Sequence, residues 1–259
     1  MIKIGIIGGT GIDSPEILRN RQEITVETKY GKPSSSIVTG TVQGVEVALL
    51  ARHGPKHTLN PTNVPYQANI MALKAIGCTH IVAGSAVGSL KAEIKPGDLV
   101  FTDQFIDCTT QRKQTFYEGN QVCHISTAEP FCATLRNILS ASAKELGLSY
   151  HPQGTAVIVE GPRFSTKAES HLYRSWNADI INMTMVPECI LAREAQICYA
   201  NISMITDYDC WKEEHVSNDL VVKTMQENVE KLKKLLIYLI PLIKDVDCAC
   251  RHALEGALF

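Results

Sequence analysis

Short apolar runs alternate with amphipathic stretches along the whole chain, and that alternation is the mark of an α/β fold. Runs rich in Ile, Val and Leu predict strands over Ile2–Ile7, Glu23–Thr28, Ile37–Val42, Val45–Ala51, His80–Gly84, Asp98–Thr102, Gly154–Glu160, Asp179–Met183 and Cys198–Ile205. The hairpin-like series before residue 52, with its Pro33–Ser36 turn, implies antiparallel pairs, so the sheet is expected to be mixed. Helical spacing appears in three places. Tyr66, Ile70, Leu73 and Ile76 share a face that ends at Gly77, a suitable C-cap. Phe131, Leu135, Ile138, Leu139 and Leu146 form a second apolar face, with the small Ser142 on it. The third opens near Ser217-Asn218-Asp219 and runs through Leu220, Met225, Val229, Leu232 and Leu236. No repeat, low-complexity run or linker interrupts the pattern. Residues 1–259 are expected to form a single α/β domain, a mixed central β-sheet flanked by helices. The segment 246–259 stays apolar at Leu254, Ala257, Leu258 and Phe259, so it is expected to dock on this subunit or a neighbour.

Composition narrows the class. A chain of 259 residues that is 45% hydrophobic and 20% charged supports a large core. With Lys+Arg 25 against Asp+Glu 27, there is no basic excess to suggest nucleic acid as a partner. The N-terminus enters a strand at once and no long apolar span follows, so a cytoplasmic protein with no membrane partner is expected. The nine cysteines include no Cys-x-x-Cys pair, and the close pair is Cys248-Ala249-Cys250. Cys132 and Cys198 are candidates for a disulfide, although spacing alone leaves the pairing open.

The candidate chemistry lies at strand ends. Asn182-Met183-Thr184-Met185-Val186-Pro187-Glu188 leaves an apolar strand carrying an amide, a thioether and a hydroxyl in a row. Such a mixture suits a ligand wall better than a core, although an ordinary strand-to-helix turn also fits. Gly5-Ile6-Ile7-Gly8-Gly9-Thr10-Gly11 lets backbone N–H groups approach an anion. Its spacing is neither the dinucleotide fingerprint nor the P-loop, so a small anion fits better than a dinucleotide. Arg52-His53 offers guanidinium and imidazole donors after the strand Val45–Ala51. His57 adds a second imidazole but no third metal ligand. Gly84-Ser85-Ala86-Val87-Gly88 presents N–H and hydroxyl groups at another strand end. In Glu160–Thr166, Phe164 either stacks on a planar ring or anchors the loop in the core. Asp207 and Asp209 stand one residue apart at the end of Cys198–Ile205. Close carboxylates raise one another's pKa, so one can hold a proton at neutral pH for general acid work. A divalent-metal site and a helix cap are the competing readings of that pair.

Taken together and in this order, these stretches resemble the trimeric purine nucleoside phosphorylase family, in its branch acting on S-methyl-5′-thioadenosine. The likeness runs from Gly5 to Trp211 and includes Asp103–Asp107, Glu160–Thr166 and Thr206–Trp211. The resemblance implies reversible phosphorolysis: phosphate attacks the sugar, adenine leaves, and a 5-methylthioribose 1-phosphate forms. It implies inorganic phosphate as co-substrate, no cofactor, no catalytic metal, and a homotrimer or dimer of trimers. By position, Thr10, Arg52, His53, Ser85, Ala86 and Thr184 look like the phosphate shell, Ser85 replacing the family's frequent Thr. Met183 looks like the residue against the ribose, and Phe164 and Asn182 look like base-pocket residues. Asp207 and Asp209 look like the pair that selects a 6-amino purine, with Asp207 the general acid; branches acting on 6-oxopurines carry Asn where Asp207 stands. His124 resembles a residue that reaches a neighbouring subunit's 5′ pocket, with Val221 and the C-terminal segment as walls. Cys248-Ala249-Cys250 resembles a C-terminal feature of heat-adapted members, in which the equivalents of Cys132 and Cys198 can be bridged, so disulfides among Cys132, Cys198, Cys248 and Cys250 are an expectation of the resemblance. A 6-oxopurine or methylthioinosine phosphorylase and a purine-binding sensor remain the alternatives.

Overall fold

The computed structural model describes residues 2–9, 15–212 and 218–259. Its strands are β1 (Lys3–Gly8), β2 (Arg19–Ile24), β3 (Ile37–Val42), β4 (Val45–Ala51), β5 (His80–Ser89), β6 (Leu99–Phe101), β7 (Gln104–Cys108), β8 (Tyr150–His151), β9 (Thr155–Val159), β10 (Ile180–Asn182) and β11 (Cys198–Asp207). The helices are α1 (Tyr66–Ala75), α2 (Ala133–Glu145), α3 (Lys167–Ser175), α4 (Met185–Glu194) and α5 (Asn218–Leu239). All of these strands belong to one sheet with parallel and antiparallel ladders, as the pattern predicts.

Side chains alternate across the strands and divide the core into two layers. Ile7, Ile81, Ala83, Tyr199 and Ile205 face α1 and α4, which bring Ile70, Leu73, Cys189 and Leu191. Ile4, Ile6, Val82, Ala200 and Ile202 face α2 and α5, which bring Leu135, Leu139, Leu232 and Leu236. In the third periodic segment Leu232 and Leu236 are therefore core, with Met225 packed against them.

β5 is the hub. β11 runs parallel to it from His80 to Gly88 on one edge. On the other edge β1 pairs only with His80–Ala83, and β10 pairs antiparallel with Gly88 and Ser89. Between those two ladders, Gly84–Val87 has no strand beside it among the described residues. The sheet thus opens a window at its centre, and Ala86 is exposed there although Ser85 and Val87 on either side are buried.

The structure departs from the predicted elements where pairing overrides composition. The strand expected over Glu23–Thr28 lies earlier, at Arg19–Ile24, because β2 is an edge strand whose exposed polar residues follow the backbone ladder to β3. The strand expected to end at Gly84 continues to Ser89 because β11 pairs with it throughout. Gly77 ends α1 with φ +87°, as a C-cap requires. The tail docks on its own chain: Phe259 N–H donates to Val122, His124 N–H donates to Ala257, and Ala257 is buried. Among the described residues, no helix is long and apolar enough to cross a membrane.

Leu236 on α5 is 2% exposed within the second core layer. Leu236→Ala is expected to lower unfolding free energy by about 2–5 kcal/mol, read from the denaturant midpoint at an unchanged slope.

Candidate active site

Arg52 follows the last residue of β4 and sits on the α1/α4 face of the sheet, 1% exposed. Its Nε donates to Glu188 Oε2 at 2.7 Å and its Nη2 to Glu188 Oε1 at 2.8 Å, a bidentate pair reaching into α4. Nη1 donates to the Gly84 carbonyl at 3.0 Å. Tyr199 OH donates to Glu188 Oε1 at 2.7 Å. Burial works against the charged guanidinium, but the charge and hydrogen bonds of Glu188 outweigh it, so the pKa of Arg52 rises. Three of the five guanidinium N–H groups are taken, leaving two that no described residue accepts. The guanidinium lies beneath the end of β1: a Cβ added at Gly9 would come within 3.3 Å of Nη1.

His53 is 9% exposed and stacks on His57 with centroids 4.4 Å apart. Its Nδ1 lies 2.7 Å from the Leu59 carbonyl, which can only accept, so Nδ1 carries the proton in that contact. Burial drives its pKa down from 6.5 to about 4, with the Arg52 charge acting in the same direction. Near neutral pH the ring is uncharged and Nε2 presents a lone pair.

Ser85 stands at the end of a buried chain of hydroxyls and one amide. Ser203 Oγ donates to Asn201 Oδ1 at 3.0 Å, so its own oxygen accepts from Thr102 Oγ1, 2.9 Å away. Asn201 Nδ2 donates to Ser85 Oγ at 3.0 Å. Every link points the same way, which leaves the Ser85 O–H as the outgoing donor.

At the end of β10, Asn182 Oδ1 accepts from the backbone N–H groups of Thr184 and Met185 at 2.7 and 2.8 Å. The amide oxygen thereby shapes the turn into α4, and the amide nitrogen stays available. Thr184 is 6% exposed and its side chain makes no cap bond to α4. Arg112 fixes the same turn: Nη1 donates to the carbonyls of Met183 and Val186, and Nη2 to that of Glu160. Gly161 packs on Met183, whose Sδ lies 2.6 Å from where a Cβ at Gly161 would stand.

At the far end of the window, Asp207 is level with Gly88 across the ladder, after a register shift between Ile205 and Asp207. Asp207 Oδ1 accepts from Asp209 N–H at 2.7 Å, and Oδ2 accepts from Thr206 Oγ1 at 2.7 Å. The carboxyl pushed up is that of Asp209, by burial and then by the Asp207 charge. The two acids are close, as expected, and both oxygens of Asp207 accept hydrogen bonds. Gly88 admits them: a Cβ there would lie 3.2 Å from Asp207 Oδ1 and 3.3 Å from Asp209 Cβ.

The window therefore brings together Arg52, Ser85, Ala86, Asn182, Met183, Thr184 and the Asp207–Asp209 pair, with His53 adjoining Arg52. Thr10 lies outside the described residues. Val221 falls within α5, but its side chain also lies outside them. Phe164 is 82% exposed, so it is no core anchor, and its loop is held by Arg163 paired with Glu169. A cavity of about 140 Å³ lies along that loop, between Glu160, Gly161 and Tyr173. A wider groove of about 460 Å³ lies elsewhere, between Tyr30, Phe116 and Leu254, and none of the converging residues lines it. His124 is exposed and packs edge-on against Phe259, held by the tail.

Cys132, Cys198, Cys248 and Cys250, the candidates for disulfides, come together in the structure, with their sulfur atoms all within 4.8 Å of one another. The tail brings Cys248 to 3.1 Å from Cys198, which gives that sulfur more than one neighbour. Glu188, Arg112, Asn201 and Ser203 were not singled out from the sequence. Asn201 and Ser203 did carry a signal, as polar residues two apart on one face of an otherwise apolar strand.

The sequence model of the Phosphorylase superfamily matches residues 3–241. An S-methyl-5′-thioadenosine phosphorylase from Xenopus tropicalis is 56% identical over 95% of this chain and 90% of that protein. One from Thermofilum pendens is 52% identical over 99% of this chain and 98% of its own length. Among solved structures, a methylthioadenosine phosphorylase from Schistosoma mansoni in complex with adenine superposes with a TM-score of 0.94 at 39% identity, covering 99% of both chains. A methylthioadenosine phosphorylase from an antarctic soil metagenomic library gives 0.95 at 43% identity, covering 100% of this chain and 92% of the other.

Glu188→Gln keeps the shape but leaves a buried guanidinium without its counter-charge. It is expected to lower stability by about 3–5 kcal/mol in denaturant unfolding. His53 is expected to stay neutral to about pH 4. Its folded pKa lies below the unfolded one, so its share of stability is full above about pH 6.5 and is lost as pH falls towards 4. An imidazole titration followed by NMR, with a midpoint near 6.5 instead, would contradict this.

Proposed function

The chain belongs to the phosphorylase superfamily and, within it, to the S-methyl-5′-thioadenosine phosphorylases, and we propose from that membership how its window works. The reaction is the reversible phosphorolysis of S-methyl-5′-thioadenosine to adenine and 5-methylthioribose 1-phosphate, a glycosyl transfer of salvage metabolism. The observation that carries the reading is the spacing along β5. Anion donors gather at Gly84–Ser85 and carboxyls at Gly88, three residues or about 10 Å further on. A ribose fits between a phosphate at the first end and a purine at the second.

Phosphate rests against the free N–H groups of Arg52, the outgoing Ser85 hydroxyl, the Ala86 backbone and the Thr184 hydroxyl, with Thr10 completing the shell. Neutral His53 offers Nε2 as an acceptor, which suits the hydroxyl of monohydrogen phosphate. That anion is the nucleophile, so no Ser or Cys is needed as one. As the C1′–N9 bond breaks, charge appears on the sugar and on the departing purine. Phosphate held below C1′ supplies proximity and opposes the sugar's positive charge. A C1′–O bond then replaces the C–N bond. Met183 lies along the ribose, and Asn182 NH₂ and Phe164 address the base.

On the base side, Asp207 and Asp209 act as a unit. Burial raises the pKa of Asp209, and Asp207 passes a proton to purine N7 as the bond breaks. The remaining carboxylate accepts from the 6-amino group, which favours adenine over a 6-oxopurine. Inorganic phosphate is the co-substrate, and no cofactor or metal enters the reaction. The working unit is a homotrimer or dimer of trimers in the cytoplasm, in which His124 of one chain, with Val221 and the tail, closes the methylthio pocket of the next.

Adenine release from methylthioadenosine, followed by ultraviolet absorbance, is expected to depend on phosphate and to exceed release from inosine or methylthioinosine. A phosphate-independent signal, or a preference for the 6-oxopurines, would refute the reading. Asp207→Asn is expected to lower kcat by roughly 10²–10⁴-fold. An unchanged kcat removes Asp207 as the acid.

A further inference from the structure

Beside the window one buried cation is held by backbone carbonyls and a carboxylate. Arg112 lies in the stretch between β7 and α2, and its side chain is 1% exposed. Its Nη1 donates to the Met183 carbonyl at 2.5 Å and to the Val186 carbonyl at 2.6 Å. Its Nη2 donates to the Glu160 carbonyl at 2.7 Å, and its Nε to Glu160 Oε1 at 3.2 Å. One guanidinium therefore joins the turn that carries Met183 to the start of the loop that carries Phe164. We propose that Arg112, with Glu160 as its counter-ion, is a positioning residue for the nucleoside: it fixes Met183 and the loop 161–166 relative to each other, and so shapes the ribose and base side of the window without touching substrate. The proposal deepens the reaction assigned above and rests on it.

The turn needs an outside donor. Val186 has extended torsions inside α4, with φ −103° and ψ 129°, which take its carbonyl out of the helical ladder. A buried carbonyl without a partner is costly. Asn182 Oδ1 already accepts from the N–H groups of Thr184 and Met185, and Arg112 takes the carbonyls before and after them. Donors and acceptors of residues 183–186 are thus bound from two sides. The loop and the turn also touch directly: a Cβ at Gly161 would lie 2.6 Å from Met183 Sδ and 3.4 Å from Pro61 Cγ. Any drift of the loop would therefore displace the Met183 side chain.

Glu160 keeps the guanidinium in place. Its Oε1 also accepts from Thr62 Oγ1 at 2.6 Å, and its Oε2 accepts from the N–H groups of Thr110 and Gln111 at 2.7 and 3.2 Å. Burial opposes the charged carboxylate, but the Thr62 hydroxyl, the Thr110 N–H and the Arg112 charge outweigh it and hold the pKa at about 2. Tyr66 adjoins the guanidinium, its ring centroid 5.5 Å from the guanidinium carbon, and its hydroxyl donates to the Pro61 carbonyl at 2.9 Å. The planar fork matters more here than the charge. Arg112→Lys keeps a cation but loses the rigid set of donors that spans carbonyls from two segments. The phosphate donors are placed by other bonds, Arg52 by Glu188 and Ser85 by Asn201, in which Arg112 has no part. A change at position 112 is therefore felt by the nucleoside before it is felt by phosphate.

The test compares full-length wild-type, Arg112→Lys, Glu160→Gln and Leu236→Ala proteins, each well below its own unfolding temperature. Adenine release is followed while methylthioadenosine and phosphate are varied in turn. Arg112→Lys is expected to lower kcat/KM for methylthioadenosine by about 10²-fold, the scale of a small misplacement remote from the chemistry, while the KM for phosphate changes little. Glu160→Gln keeps the shape and is expected to shift the same constants in the same direction by less; it decides the matter if Arg112→Lys fails to fold. Leu236→Ala, destabilised in the core, is expected to keep wild-type constants. Variants at 112 and 160 that lose stability yet keep wild-type constants, as Leu236→Ala does, overturn the proposal. So does a loss that falls equally on both substrates or mainly on phosphate. Wild-type protein that releases no adenine removes the assigned reaction and this role with it, whereas an active wild type matched by Arg112→Lys removes the role alone.

Discussion

A guanidinium that is 1% exposed remains charged in this core because Glu188, 0% exposed, meets it through two parallel hydrogen bonds. Neither residue is tolerable there alone. The pair reaches from the end of β4 to α4 and takes in the Gly84 carbonyl on β5 and the Tyr199 hydroxyl on β11. It therefore joins three strands and a helix at the place where β5 loses its neighbour. Arg52 is committed to structure on one side and keeps donors free on the other. That division fixes in place a side chain that would otherwise be mobile, with its unused donors in a set direction.

The other parts of the window show the same economy of partners. Asn182 spends its amide oxygen on the turn it begins and keeps its nitrogen. Ser85 receives a hydrogen bond from Asn201 and retains its own proton to give. Asp207 accepts from its neighbour's backbone and from Thr206, while Asp209 is buried and pushed towards its protonated form. In each case the protein satisfies one face of a polar group and leaves another without a partner among the described residues. Groups held in this manner need little reorganisation when charge develops in a transition state. The reaction proposed here asks for such an environment, because the nucleophile is itself an anion and the protein's work is placement and electrostatics.

The two ends of β11 divide the labour. Towards its C-terminus the strand carries Asn201, Ser203 and Asp207, which serve the window. At its N-terminus Cys198 meets three other sulfurs, two of them from the tail. The tail continues to Val122–His124, the segment that the family resemblance assigns to a neighbouring subunit's pocket. The sulfur cluster and the Val122–His124 contacts together hold the tail against its own chain.

The sequence by itself determined the α/β class, the mixed sheet, the apolar stripes of α1, α2 and α5, and the strand ends where chemistry gathers. Those follow from periodicity and from local rules about glycine, proline and polar residues, which act within a few positions of one another. Family likeness added the reaction. Only the tertiary structure decided that Gly84–Val87 is an open edge of a continuing strand, because that depends on where β1 stops and β10 starts. It also decided that Glu188 belongs to Arg52 and that Arg112 staples the turn at Met183, pairs separated by 136 and 71 residues. Burial raises the pKa of Asp209, a matter of surroundings that spacing cannot express. Four cysteines spread from position 132 to position 250 read as two candidate pairs along the chain, and became one cluster only when the tail folded back.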